Sequence, residues 1–147
     1  MTVLLTGGDR AEGLPAVDRR LLRSRAAGIL RALSRGRSEL SIALVDDAAI
    51  ALLNARYRGK HGPTDVLSFS QLEDGSARPG PTWLGDVVIS LETARRQARR
   101  AHRSLDGEVA RLLIHGTLHL LGHDHLSDDE ARQMRREERR LWRAIQP

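Results

Sequence analysis

The stretch His115-Gly116-Thr117-Leu118-His119-Leu120-Leu121-Gly122-His123-Asp124-His125 holds four of the chain's six histidines in eleven residues. His115 and His119 stand four apart in a run that reads as a helix, so both imidazoles project from one face and reach a common point. Gly122 ends that helix, because glycine takes the left-handed conformation that turns a chain out of its last helical turn. A straight continuation would put His123 next on the stripe. The glycine turns His123 away and brings His125 back instead. Histidines also gather at helix ends because a cation is favoured there, but that does not account for ligand spacing with a glycine at the turn.

The pattern H-x-x-x-H-x-x-G-x-x-H matches the metzincin zinc signature at every ligand position, except that Gly116 replaces the glutamate after the first histidine. Three imidazoles around Zn²⁺ leave a fourth position for water, which is the catalytic arrangement rather than the closed structural one. Water bound in such a site can have a pKa near ~7. His115, His119 and His125 are therefore the expected ligands of one Zn²⁺ per chain. With no cysteine present, disulfides and thiolate ligands are excluded and any metal must sit on histidine or carboxylate.

At 147 residues the chain is expected to be one domain, residues 1–147, burying roughly two-thirds of its unfolded surface. No run approaches the ~18 apolar residues of a membrane span, and Val3 to Leu5 are too few for a signal-peptide core, so a cytoplasmic protein is expected. The net charge of +5 is almost all arginine, since Lys60 is the only lysine. Arginine favours bidentate phosphate contacts and points to a nucleic-acid partner. One Phe, one Tyr and two Trp are too few for a module that stacks successive bases on aromatic platforms.

Outward from the histidines, Val109, Ala110, Leu112, Leu113, Ile114, Leu118, Leu120 and Leu121 make the preceding helix apolar nearly all round, hence buried. Asp106 is its expected cap. Ser127 and Glu130 form a capping box opening a last helix with Met134, Leu141 and Ile145 on its apolar face. Val3 to Leu5 reads as an edge strand. A first helix is expected from Pro15 to about Leu33, its arginines Arg19, Arg20, Arg23, Arg25 and Arg31 forming a solvated face or an RNA contact. Leu40 to Val45 reads as a buried strand, followed by a short helix capped by Asp46 or Asp47. Tyr57 to Asp65 reads as a polar loop leading into the strand Val66 to Phe69. Gln71 to Thr82 reads as a mobile loop or lid, and Trp83 to Leu91 as a strand in which Asp86 is either a paired structural carboxylate or a support for a metal-bound histidine. The stretch from Ala94 to Ser104 reads as a basic helix, its arginines either tracking phosphates or facing water.

Leu53-Asn54, Tyr57-Arg58-Gly59-Lys60, Pro63-Thr64-Asp65-Val66-Leu67-Ser68-Phe69, Leu84-Gly85-Asp86-Val87-Val88-Ile89-Ser90 and the histidine run resemble the YbeY family of bacterial metal-dependent endoribonucleases. The resemblance covers roughly Leu40 to His125. It implies an α+β fold with a mixed four-stranded sheet against helices, a zincin-like metal helix, and zinc on His115, His119 and His125. It also implies a functional arginine at Arg58, maturation of the 3′ end of small-subunit ribosomal RNA, and ribosome quality control, with the ribosome as partner. Two positions depart from it: His123 stands where the family often has tyrosine, and Ser70 where proline is common.

Gly116 cannot serve as the general base that peptidases place after the first histidine. A dicationic metal and Arg58 can instead stabilise the added charge of a phosphodiester transition state, with zinc hydroxide or the RNA 2′-hydroxyl attacking. The rival readings are a zinc peptidase-like hydrolase and a non-catalytic ribosome-binding factor with a structural zinc. Asp124 is left as a metal-side or substrate-side carboxylate, or an ordinary turn aspartate.

Overall fold

The computed structural model describes residues 2–9, 13–72 and 82–146. Apolar alternation along β2 (Glu39–Val45) buries Leu40, Ile42 and Leu44, and the strand lies inside a four-stranded sheet. β1 (Thr2–Gly7) and β4 (Trp83–Ser90) flank it in parallel, and β3 (Val66–Ser70) pairs antiparallel to β4, giving the order β1-β2-β4-β3. The helices among the described residues are α1 (Arg19–Ala32), α2 (Asp47–Arg58), α3 (Leu91–Arg100), α4 (Leu105–Leu120) and α5 (Asp128–Ala144). The fold is therefore α+β with a mixed sheet, as expected.

The main core joins Ile42, Val87 and Ile89 of the sheet to Leu22 and Ile29 of α1, Leu113 and Leu118 of α4, and Met134 and Leu141 of α5. A smaller cluster of Ile50, Leu67 and Val88 sits under α2 on the opposite sheet face. Asp86 shares that second face, in register with Phe69 and alternating with Val88. It is half-buried and lies across the sheet from α4, so it is not placed to support a histidine there.

Several boundaries differ from expectation because a side chain caps earlier or later than the apolar pattern suggests. Asp18, not Pro15, opens α1: its carboxylate accepts the Leu21 amide at 3.0 Å. Ser90 caps α3, whose first residue, Leu91, lies three residues before the expected start. Ser104 rather than Asp106 caps α4, and Asp106 instead accepts the Asp18 amide at 2.9 Å. Asp46 caps α2, while Asp47 accepts the hydroxyls of Ser90 and Thr93, each at 2.6 Å, and Arg96 at 2.8 Å. Ser127 accepts the Glu130 amide as the capping box predicts, with its hydroxyl 3.2 Å from the Glu130 carboxylate. Most of the expected lid, residues 73–81, lies outside the described residues.

The arginines of α1 are not simply a solvated face. Arg23 donates to the Val3 carbonyl at 3.1 Å, and Arg19 donates to the carbonyls of Leu5 and Gly7, so guanidiniums cover the outer edge of β1. The other sheet edge is different. Ser90 donates to the Asp65 carbonyl and Gln71 to the Leu84 carbonyl, each at 2.9 Å, which turns the backbone groups of Ser68 and Ser70 outward, away from β4.

Candidate functional site

α4 carries His115 and His119 across the sheet face over β3, and two serines fasten it there. Ser68 Oγ donates to the Gly116 carbonyl at 2.8 Å, and Ser70 Oγ donates to the Leu120 carbonyl at 2.9 Å, satisfying one of the four orphan acceptors at the helix end. Ser70, the departure from the resembled pattern, thus anchors the helix that carries His115 and His119. Gly116 lies against the sheet, where an added Cβ would sit 2.7 Å from Val87 Cγ1. This position has no room for a glutamate side chain.

The helix ends as the glycine predicts. Gly122 has φ 93°, its amide donates to the His119 carbonyl at 3.0 Å, and the His123 amide donates to the Leu118 carbonyl at 3.1 Å. These two bonds form a Schellman closure. Beyond it the His125 ring returns to centroid distances of 6.3 Å from His115 and 5.6 Å from His119. His123 points elsewhere, into a separate small cavity with Glu130 and Gln133. Asp124 accepts the His125 amide at 2.8 Å, as a turn aspartate does, and also stands 3.6 Å from the His125 ring.

A groove of about 860 Å³ collects His115, His119, His125 and Asp124 on one wall, and Tyr57, Arg58 and the open edge of β3 on the other. Arg58 is not on a loop. It is the last residue of α2, where Gly59 in the left-handed conformation (φ 64°) stops the helix and leaves the guanidinium exposed beside the strand. All four residues singled out from the sequence therefore line one groove.

Glu138 of α5 is a site residue that the sequence analysis does not single out. Its Oε2 lies 3.3 Å from His115 Nδ1. The signal was present: Glu138 falls four residues after Met134 and three before Leu141, on the apolar stripe, where a carboxylate needs a partner. The hydrogen bond from His115 holds the Glu138 carboxyl below the usual range, outweighing the opposing effect of burial. A proton kept on Nδ1 leaves the Nε2 lone pair of His115 facing the groove.

The rings test the fit of a metal. His115 Nε2 and His119 Nε2 are 3.1 Å apart, and two nitrogens each about 2.0–2.1 Å from one tetrahedral ion stand slightly more than 3 Å from each other. Burial, and then the neighbouring His115, push the His119 pKa down and favour its neutral, ligating form. The third ring stands off from this pair, and among the described residues no three ligating side chains converge on one point. His115 and His119 thus fit two positions around one tetrahedral ion, whereas the His125 ring, 61% exposed and 3.6 Å from the Asp124 carboxylate, lies at the rim of the same groove.

A family model described as Endoribonuclease YbeY matches residues 17–146. The chain is 49% identical over 144 residues to an Endoribonuclease YbeY of Anaeromyxobacter sp. (strain Fw109-5), spanning 98% of this chain and 72% of that protein. It is 48% identical over 133 residues to an Endoribonuclease YbeY of Pelotomaculum thermopropionicum, spanning 86% of this chain and 88% of that protein. The solution structure of TM1509 from Thermotoga maritima has the same fold, with a TM-score of 0.67 over 99% of this chain and 89% of that one at 24% sequence identity. Among the described residues no helix is long and apolar enough to cross a membrane.

Proposed function

The chain belongs to the YbeY family, and on that footing we propose that it is a zinc-dependent endoribonuclease that cleaves single-stranded ribosomal RNA. The proposed setting is maturation of the 16S rRNA 3′ end and ribosome quality control in the cytoplasm. The observation that carries the reading is the shared groove: three histidines on one wall and an exposed guanidinium on the other.

His115, His119 and His125 would hold the ion, which supplies Lewis-acid charge at a phosphodiester and an ionisable water. Glu138 keeps His115 in the tautomer that presents Nε2. Arg58 offers paired N–H donors to the non-bridging oxygens of the scissile phosphate, where charge grows in the transition state. Peptidase chemistry is disfavoured, because the position that would carry its general base is a glycine packed against Val87.

Purified protein loaded with zinc should cut single-stranded ribosomal RNA fragments, and Arg58→Ala should abolish cutting while leaving the melting temperature within about 2 °C, as for other exposed substitutions. Intact RNA after incubation with zinc-loaded wild type, combined with retained ribosome binding, would replace the enzyme reading with that of a non-catalytic assembly factor.

A further inference from the structure

A second cavity, of about 540 Å³, opens between α4 and α5. Its charge is one-sided. Arg135, Arg139 and Arg143 follow one another at four-residue spacing along α5, rising about 6 Å per step, and all three line it. Among the described residues none of them has a carboxylate within ion-pair distance, although like charges at this spacing repel. Arg103 and Arg111 line the same space and are held in place by the buried Glu108, at 3.2 and 3.0 Å. Five guanidiniums thus face two carboxylates, Glu108 beneath them and Glu138, which is turned toward His115. The floor is apolar and includes the half-buried indole of Trp142.

We propose that this cavity is a second RNA-holding subsite, which takes the phosphates of a single strand on Arg135, Arg139 and Arg143 and stacks one base on Trp142. The proposal rests on the RNA reading of the histidine groove. Planar guanidiniums grip phosphate oxygens in pairs, and their regular rise suits a repeating polyanion. An aromatic face is of no particular use to an acidic peptide but stacks on any base. Glu138 stands at the border of the two sites, since it lines this cavity and accepts a hydrogen bond from His115 of the groove.

The chain has two tryptophans, so Trp83→Phe leaves Trp142 as the only indole reporter. Oligoadenylate titrated into this zinc-loaded protein should quench the indole fluorescence, with oligomer length checked on a gel after each titration. In the Trp83→Phe background the triple substitution of Arg135, Arg139 and Arg143 to Gln should remove the quench. It should also reduce the slope of log affinity against log salt by about 2, at ~0.7 per single-strand phosphate contact. Arg139→Gln alone should lower it by ~0.7, and lysines at all three positions should restore it. No quench, an unchanged slope in the triple variant, or equal binding and quenching by polyglutamate would overturn the subsite. Its failure is separable from failure of the enzyme reading: cleavage with an unchanged slope removes only the subsite, whereas quench and slope loss without cleavage remove only the endoribonuclease.

Discussion

Replacing Gly116 with alanine should destabilise the protein even though alanine is the better helix former. The new Cβ would stand 2.7 Å from Val87 Cγ1, 3.1 Å from Ser68 Oγ and 3.2 Å from Val66 Cγ2, whereas carbon atoms prefer ~3.5–4.0 Å. None of these neighbours yields easily. The two valines are β-branched and stiff at χ1, and Ser68 is tied to the Gly116 carbonyl. Overpacking of this kind costs about 1–3 kcal/mol, against which alanine regains roughly 0.5–1 kcal/mol of helix propensity. The net loss, on the order of 1 kcal/mol, lowers the melting temperature by ~2–4 °C. Thermal unfolding followed by circular dichroism measures it directly. Zinc affinity should fall as well, because α4 moves off β3 and carries two histidines with it. The cause is checked by repeating the substitution in a Val87→Ala background, where its cost should shrink by at least ~0.5 kcal/mol. A melting temperature that rises in Gly116→Ala, or strictly additive effects in the double variant, would refute the packing account of this glycine.

The other expectations concern the histidine turn and the hydrogen bonds that hold it and its scaffold. His125→Ala should lose most of the bound zinc and all cleavage, while His123→Ala, on the far side of the Gly122 turn, should keep its metal in a stoichiometry assay. Glu138→Gln should weaken zinc binding by roughly 10–100-fold in competition with a chelator; unchanged affinity would mean the carboxylate does not orient His115. Asp47→Asn should cost about 1–3 kcal/mol in urea unfolding, as for hydrogen bonds to a charged group. Burial raises the Asp47 pKa, but the hydroxyls of Ser90 and Thr93 and the Arg96 guanidinium outweigh it and hold the folded-state value below the ordinary one. The Asp47 contribution is therefore complete above its unfolded pKa near ~3.9 and disappears as pH falls through the lower folded value. The gap between wild type and Asp47→Asn should close below about pH 4.

By itself the sequence determined the features that depend on neighbours along the chain. Histidine spacing, the glycine stop after Leu121, the alternation in β2 and the capping box at Ser127 are local matters of backbone geometry, and the structure follows them. The sequence also singled out four of the residues that line the groove, partly through family resemblance, and it marked Gly116 as unable to act as a base. What it could not supply was which distant groups meet. Glu138 reaches His115 only because α5 packs across α4, and the arginines of α1 cover β1 only because the sheet order leaves that strand at an edge. Asp86 falls on the far face because register with Phe69 puts it there, and the choice between Ser104 and Asp106 as helix cap turned on a bond to Asp18, 88 residues away. Periodicity says which face of an element is apolar, but a polar side chain on that face is settled by whichever partner the packing of other elements brings within hydrogen-bond reach.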